Sequence, residues 1–152
     1  MEQRNAGVIV PPPLLWVVAA GLSLLLNRLW PLALGFSGSW VVGVVMALWG
    51  GLWVLWAFFS MNHVKTPVDP SKIPTALVIV GPYRWGRNPM YLAMLIWMAA
   101  LGLLMRSWWP WFVWVPLWAV LRYGVIQHEE NFLFRLFGQN YDKYYRRTRR
   151  WL

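Results

Sequence analysis

Two short polar stretches of this chain hold residue types that can do chemistry at the edge of a membrane. Residues 81–91 read GPYRWGRNPMY, and residues 122–150 read RYGVIQHEENFLFRLFGQNYDKYYRRTRR. In the first, Asn88-Pro89 suits a helix start, because asparagine caps free amides and proline at the first helical position forgoes no hydrogen bond. A helix N-terminus beside the guanidiniums of Arg84 and Arg87 can take a carboxylate or a phosphate. In the second, a helix continuing out of a bilayer at about 100° per residue puts Arg122, Ile126, Glu129, Leu133 and Leu136 within about 40° of one line, with Glu130 roughly 80° off it. That stripe carries a cation inside the membrane and a carboxylate about two turns nearer to water. Gly138 then stops the helix, and Tyr141, Tyr144 and Tyr145 follow at i, i+3, i+4. Each feature also has a purely structural reading: the glutamates offset the basic tail, Arg122 snorkels to the interface, and the final arginines bind anionic headgroups.

The elements that must position these residues are membrane helices. Of the 152 residues, 59% are hydrophobic, 18% aromatic and only 12% charged, with 14 tryptophans. A soluble domain carries roughly 25% charged residues, so half the charge needed for a water-facing surface is lacking. At about 20 residues per crossing the length allows about four spans. The expected fold is all-α: one membrane domain over 1–152, a polytopic bundle with spans at about 12–27, 39–59, 90–105 and 108–126. Segments 60–89 and 127–152 lie on the cytoplasmic side, the latter carrying a C-terminal helix. Gly43, Gly50 and Gly51 in the second span are small enough to let another helix approach. Five prolines between residues 60 and 89 keep that segment out of the hydrocarbon, and TALVIV at 75–80 is too short to span. Trp108, Trp109, Trp111 and Phe112 at the turn of the last hairpin read as a headgroup belt.

Fourteen Lys and Arg against five Asp and Glu give a formal charge of +9. The sum alone would permit nucleic-acid binding, but the charges flank apolar spans as cytoplasmic loops do, so membrane lipids are the expected partners and nucleic acid is not. Arg28 and Arg106 fall in the two short opposite loops, whereas Arg4 and both basic segments share a side. This places both termini of an integral, multi-pass protein in the cytoplasm, and the membrane is the inner one if the source is bacterial. Without cysteine there is no disulfide or thiolate, and with His63 and His128 as the only imidazoles no metal site is expected.

The combination resembles a known family. GPYR-x-x-R-N-P-M-Y at 81–91, a helical hairpin, the glutamate pair at 129–130, FG-x-x-Y at 137–141 and a basic end look like the isoprenylcysteine carboxyl methyltransferases, which are related to the phospholipid N-methyltransferases. The resemblance runs in order from residue 66 to 152, while the first two spans match only in hydropathy. It implies that S-adenosylmethionine binds on the cytosolic side, with Tyr83, Arg87, Asn88, Pro89 and Tyr91 on one wall and Glu129, Glu130 and Tyr141 on the other. Arg87 and the helix start would take the methionine carboxylate, and a glutamate would take its ammonium or ribose hydroxyls. Which glutamate does which stays open. Where the isoprenylcysteine enzymes have Arg-His-Pro this chain has Arg87-Asn88-Pro89, and Gln127-His128 stand where related sequences often carry basic residues.

The resemblance therefore implies methyl transfer to a lipophilic small molecule or lipid. Such a transfer needs positioning and exclusion of water more than acid–base chemistry. A carboxylate acceptor needs no general base, whereas an amine must arrive deprotonated. Few bases are on offer, which favours O-methylation of a carboxylate, with Arg122 orienting the acceptor anion and Glu129 as the second catalytic candidate. Alternatives are a phospholipid amine N-methyltransferase and a non-catalytic membrane subunit or lipid-binding protein.

Overall fold

The computed structural model describes residues 10–67 and 72–152. Arg4 lies outside the described residues, as do positions 68–71 of the proline-rich segment. Among those described, the regular structure is helical, as expected. Helix α1 spans Pro12–Leu29, its prolines confined to the start where their missing N–H groups cost nothing. Helix α2 spans Ser39–His63, and α3 spans Pro89–Leu104. The expected fourth span is divided. Helix α4, Trp109–Ala119, passes into a π-helical stretch, Val120–Ile126, which runs directly into α5, Gln127–Phe137. Pro116, which cannot donate to the helical ladder, and Gly124, a poor helix former, both lie in this run. Gly138, at φ +52°, stops α5 as expected, and α6 follows at Gln139–Arg147.

Two of the four expected spans, α1 and α2, are long and apolar enough to cross a membrane, while α3 is a shorter apolar helix. The helices form a membrane bundle whose outer surface is apolar: Val45, Leu48, Leu52 and Phe59 on α2 all point away from the protein. Lipid is the solvent that such a face matches. The interior is organised by small residues and by tryptophan. A Cβ on Gly43 would lie 2.9 Å from Leu104, and one on Gly50 would lie 2.7 Å from the indole nitrogen of Trp97, so both glycines seat α3 against α2. Gly51, grouped with them from the sequence, faces open space.

Indole N–H groups bridge the helices by donating to carbonyl oxygens: Trp16 to Met94 (2.9 Å), Trp97 to Ala47 (3.0 Å) and Trp114 to Leu95 (3.0 Å). The expected headgroup belt is accordingly split. Trp108 and Phe112 are exposed, but Trp111 packs on Gly102 and Trp109 donates to the Trp30 carbonyl at 2.6 Å.

The two short connections meet at one end of the bundle, where Leu34 N donates to Arg106 O (2.7 Å) and Trp108 N to Leu32 O (3.0 Å). Both polar segments therefore gather at the other end. The π-helical stretch changes the angular phase of everything after it relative to a straight α-helix. The expected stripe is broken as a result: Arg122 stacks over the rings of Trp118 (5.2 Å) and Tyr123 (5.4 Å), while the glutamates face a cavity.

Gly50→Leu is expected to lower stability by about 1–3 kcal/mol through overpacking against Trp97. Gly51→Leu is expected to stay within about 0.5 kcal/mol of the parent. Thermal unfolding in detergent compares the two.

Candidate functional site

Glycine decides how the motif 81–91 folds. Gly81 has φ +60°, and a Cβ there would lie 2.1 Å from Ser60 Oγ, so the tight turn Gly81–Arg84 can form against α2 only with glycine. This turn presents the Tyr83 carbonyl to the Tyr144 hydroxyl, which donates to it at 2.7 Å. Gly86 is needed for a different reason. The chain leaves α6 at Thr148 in extended conformation and pairs beside the motif, with Arg87 N donating to Arg149 O at 2.9 Å. A Cβ on Gly86 would sit 1.8 Å from the Trp151 carbonyl oxygen.

That pairing delivers a buried charge cluster. Arg87 donates from Nε (3.2 Å) and Nη2 (2.9 Å) to Glu130 Oε1, and from Nη1 to the carbonyls of Tyr145 (3.0 Å) and Thr148. Its guanidinium also lies 3.9 Å from the centre of the Tyr145 ring. Arg150 holds the same carboxylate from the other side, Nη2 to Oε2 at 2.6 Å and Nε to Oε1 at 3.2 Å. Glu130 is 5% exposed, so its charge is tolerable only because both oxygens are paired.

Two expectations are corrected here. Arg87 has four of its five N–H groups engaged by the protein, so it braces the site instead of presenting itself to a carboxylate. Asn88 makes no side-chain cap on α3; its Nδ2 donates to Arg150 O at 3.0 Å. The amides of the first turn of α3, after Pro89, are thus left without a side-chain cap beside the cavity.

The cavity spans about 940 Å³ of space between protein atoms, open solvent included. Tyr83, Arg87, Asn88, Pro89, Tyr91, Glu129, Glu130 and Tyr141 all line it, so every expected cofactor residue comes to one place. Arg122 does not reach it. The second wall also holds Tyr144, Phe132 and Leu133, and the segment after α2 adds Lys72, Leu77 and Val78 as a roof. That segment is folded by a clasp in which Thr66 Oγ1 accepts Thr75 N (3.0 Å) and Thr75 Oγ1 donates to Lys65 O (2.8 Å). TALVIV, which sequence reasoning left without a role, supplies the apolar part of this roof. Its six-residue apolar character next to a polar motif was the available signal. Nothing in RRTRR distinguished Arg150 from its three neighbouring arginines.

Glu129 differs from its neighbour. Among the described residues its hydrogen-bond partner is the Tyr91 hydroxyl, which donates to Oε1 at 2.5 Å. Burial, opposed by that hydrogen bond and reinforced by the nearby Glu130, pushes its carboxyl up from 4.5 to about 7. Burial likewise raises the hydroxyls of Tyr83, Tyr141 and Tyr144 above the ordinary tyrosine range, so these three remain neutral hydrogen-bonding groups. The result is a water-facing cavity with an adjustable carboxylate, an uncapped helix start and aromatic walls, seated on a membrane bundle.

These features define a helical membrane bundle whose two polar segments line one cavity at its end. A family model described as phospholipid methyltransferase matches residues 39–140, and the chain belongs to that family. The matched region includes α2, beyond the stretch over which the motifs alone carried the resemblance, and ends just before Tyr141. Members of the family are methyltransferases. No curated protein and no solved structure matches the chain.

Gly86→Ala is expected to expel residues 148–152 from their place beside the motif, because the atom in the way is backbone. A stability loss of about 2–3 kcal/mol should accompany it, together with faster proteolysis after Arg147 in limited trypsin digestion.

Proposed function

We propose that this chain is an S-adenosylmethionine-dependent membrane methyltransferase that methylates a carboxylate on a lipophilic acceptor. Methyltransferases of this family use S-adenosylmethionine in general. The observation that carries the reading is Glu129: a carboxylate facing the cavity, left out of the ion-pair cluster that consumes Glu130, and placed across from the uncapped start of α3. This arrangement fits a ligand with a cationic centre and a carboxylate of its own. The α-carboxylate would sit at the amides of α3, where partial positive charge concentrates. Tyr83, Tyr141, Tyr144 and the aliphatic roof would take the adenosine.

Bound there, S-adenosylmethionine supplies an electrophilic methyl group on a sulfonium. The protein's part is to hold and shield it. Because the positive charge on sulfur disappears as the methyl leaves, a carboxylate that attracts the cation favours the bound state over the transition state. Glu129 is therefore a binding residue first. His63 and His128 are exposed and do not line the cavity, and Glu130 is locked by two arginines. The shortage of a free base supports an acceptor that arrives already ionised.

A second, apolar and more open cavity lies between α2, α3 and α4, lined by Met46, Ile96, Ala99, Trp111 and Trp118 among others. It is suited to the apolar part of the acceptor. Arg122 lies 5.2 Å from the ring of Trp118, one of the cavity's lining residues, and from there would meet an acceptor anion. One alternative is N-methylation of a phospholipid amine, in which Glu129 would take up a proton. In either case the excess of Lys and Arg around the cavity supports a reading in which this face is cytoplasmic.

Calorimetry of detergent-solubilised protein with S-adenosylmethionine checks the cofactor. A carboxyl held near 7 is mostly neutral at pH 6 and mostly charged at pH 8. The neutral acid favours the folded state at low pH, and this contribution fades as pH rises through 7. Cation binding runs the other way: affinity should rise about tenfold between pH 6 and pH 8 and flatten above. Glu129→Gln should remove the pH dependence, and raise Kd more than it lowers kcat. Absence of binding at millimolar ligand would sink the reading.

For the acceptor, labelled methyl groups should enter a prenylated cysteine carboxylate as a base-labile ester. Label found instead in phosphatidylethanolamine would establish the phospholipid reading.

A further inference from the structure

Segment 148–152 is more than a basic end. Its backbone is pinned to the motif by the Arg87 and Asn88 hydrogen bonds at 2.9 and 3.0 Å, and Trp151 packs against the core cluster that includes Leu95, Met98 and Leu121. Between those two anchors stands Arg150. One arginine on Glu130 would already neutralise it, and Arg87 does so with both Nε and Nη2 on a single oxygen. Arg150 takes the other oxygen at 2.6 Å, so the plane of the carboxylate, and with it the rotation of α5 about its own axis, is fixed from two sides. Glu129 immediately precedes Glu130 on that helix. A turn of α5 that released Glu130 would carry Glu129 out of reach of the Tyr91 hydroxyl and off the cavity wall.

We propose that Arg150 is a positioning residue: by holding the second oxygen of Glu130 from segment 148–152, it sets the rotation of α5 that aims Glu129 into the cavity, so that the cofactor binds only while this segment is docked. The proposal rests on the cofactor reading given above. It assigns the two glutamates separate duties, with Glu130 as the fixed pivot and Glu129 as the group that meets the ligand. Arg150 also adds a second positive charge beside the pair. Its removal leaves Glu129 next to a less neutralised Glu130, which disfavours a second negative charge.

The test compares the wild-type protein, Arg150→Gln and Arg150→Lys in detergent, by calorimetry with S-adenosylmethionine from pH 6 to pH 9 and by hydrogen exchange without ligand. Arg150→Gln should weaken binding by roughly tenfold or more and move the pH midpoint of binding upward by about half a unit or more. Amides of 127–137 and 86–88 should exchange faster, while those of 12–29 should not change. Arg150→Lys keeps the charge but reaches one oxygen, so several-fold weaker binding at an unshifted midpoint is expected. Wild-type affinity, midpoint and exchange in Arg150→Gln would overturn the proposal. If that variant does not survive extraction, wild-type affinity in Arg150→Lys would overturn it. Failure of the wild-type protein to bind S-adenosylmethionine would strike the cofactor reading instead, and exchange in α5 would still decide whether Arg150 orders it.

Discussion

Glu130 lies almost wholly out of water between two guanidiniums that come from opposite directions along the chain, Arg87 from the motif before α3 and Arg150 from the segment after α6. A buried carboxylate left with no partner is strongly destabilising, and here the two guanidiniums together cover both of its oxygens. Their meeting requires Gly86, which admits the Trp151 carbonyl, and Gly138, which turns α6 back toward the motif. It also holds α5 at one rotation. The rest of the site follows from that geometry, including the cavity wall, the exposure of Glu129 to a ligand and the seating of Tyr144 on Tyr83. The ion pairs contribute order more than net stability, since desolvation offsets much of their attraction.

The membrane part of the chain meets a different constraint. Apolar burial cannot drive helices together in lipid, which is as apolar as they are, so contact depends on close approach and on hydrogen bonds that lipid cannot supply. Gly43 and Gly50 provide the approach. The indoles of Trp16, Trp97 and Trp114 provide the bonds, each donating to a carbonyl of a neighbouring helix. This explains part of the tryptophan content without recourse to the headgroup region. The bundle so joined carries the cavity at one end, where the polar segments are excluded from hydrocarbon by their own backbone.

Much of this was legible in the residues. Low charge and long apolar runs announced a helical membrane bundle, prolines and glycines marked where helices begin and end, and the family resemblance carried by the two polar segments implied that they share one site. All eight residues expected around the cofactor line one cavity. Their individual duties were not legible. Arg87 and Asn88 read as ligand-facing because a guanidinium beside a helix start is a good anion site, yet both are turned toward residues 145–150 by a pairing between positions some sixty apart. The stripe through Arg122 and Glu129 assumed an unbroken α-helix, and the π-helical stretch that breaks it has no firm local signal beyond Pro116 and Gly124.

Sequence by itself determined what is local or compositional: the solvent of the surface, the order of the helices, and the residue types available to a ligand. Tertiary structure alone decided which of two adjacent glutamates is locked between arginines and which keeps a single tyrosine partner at the cavity. Glu129 and Glu130 are chemically the same. They part only because α5 is held at a rotation that aims one at two arginines and the other at a single tyrosine hydroxyl and open space. That rotation is set by contacts from distant parts of the chain, which no spacing within the helix encodes.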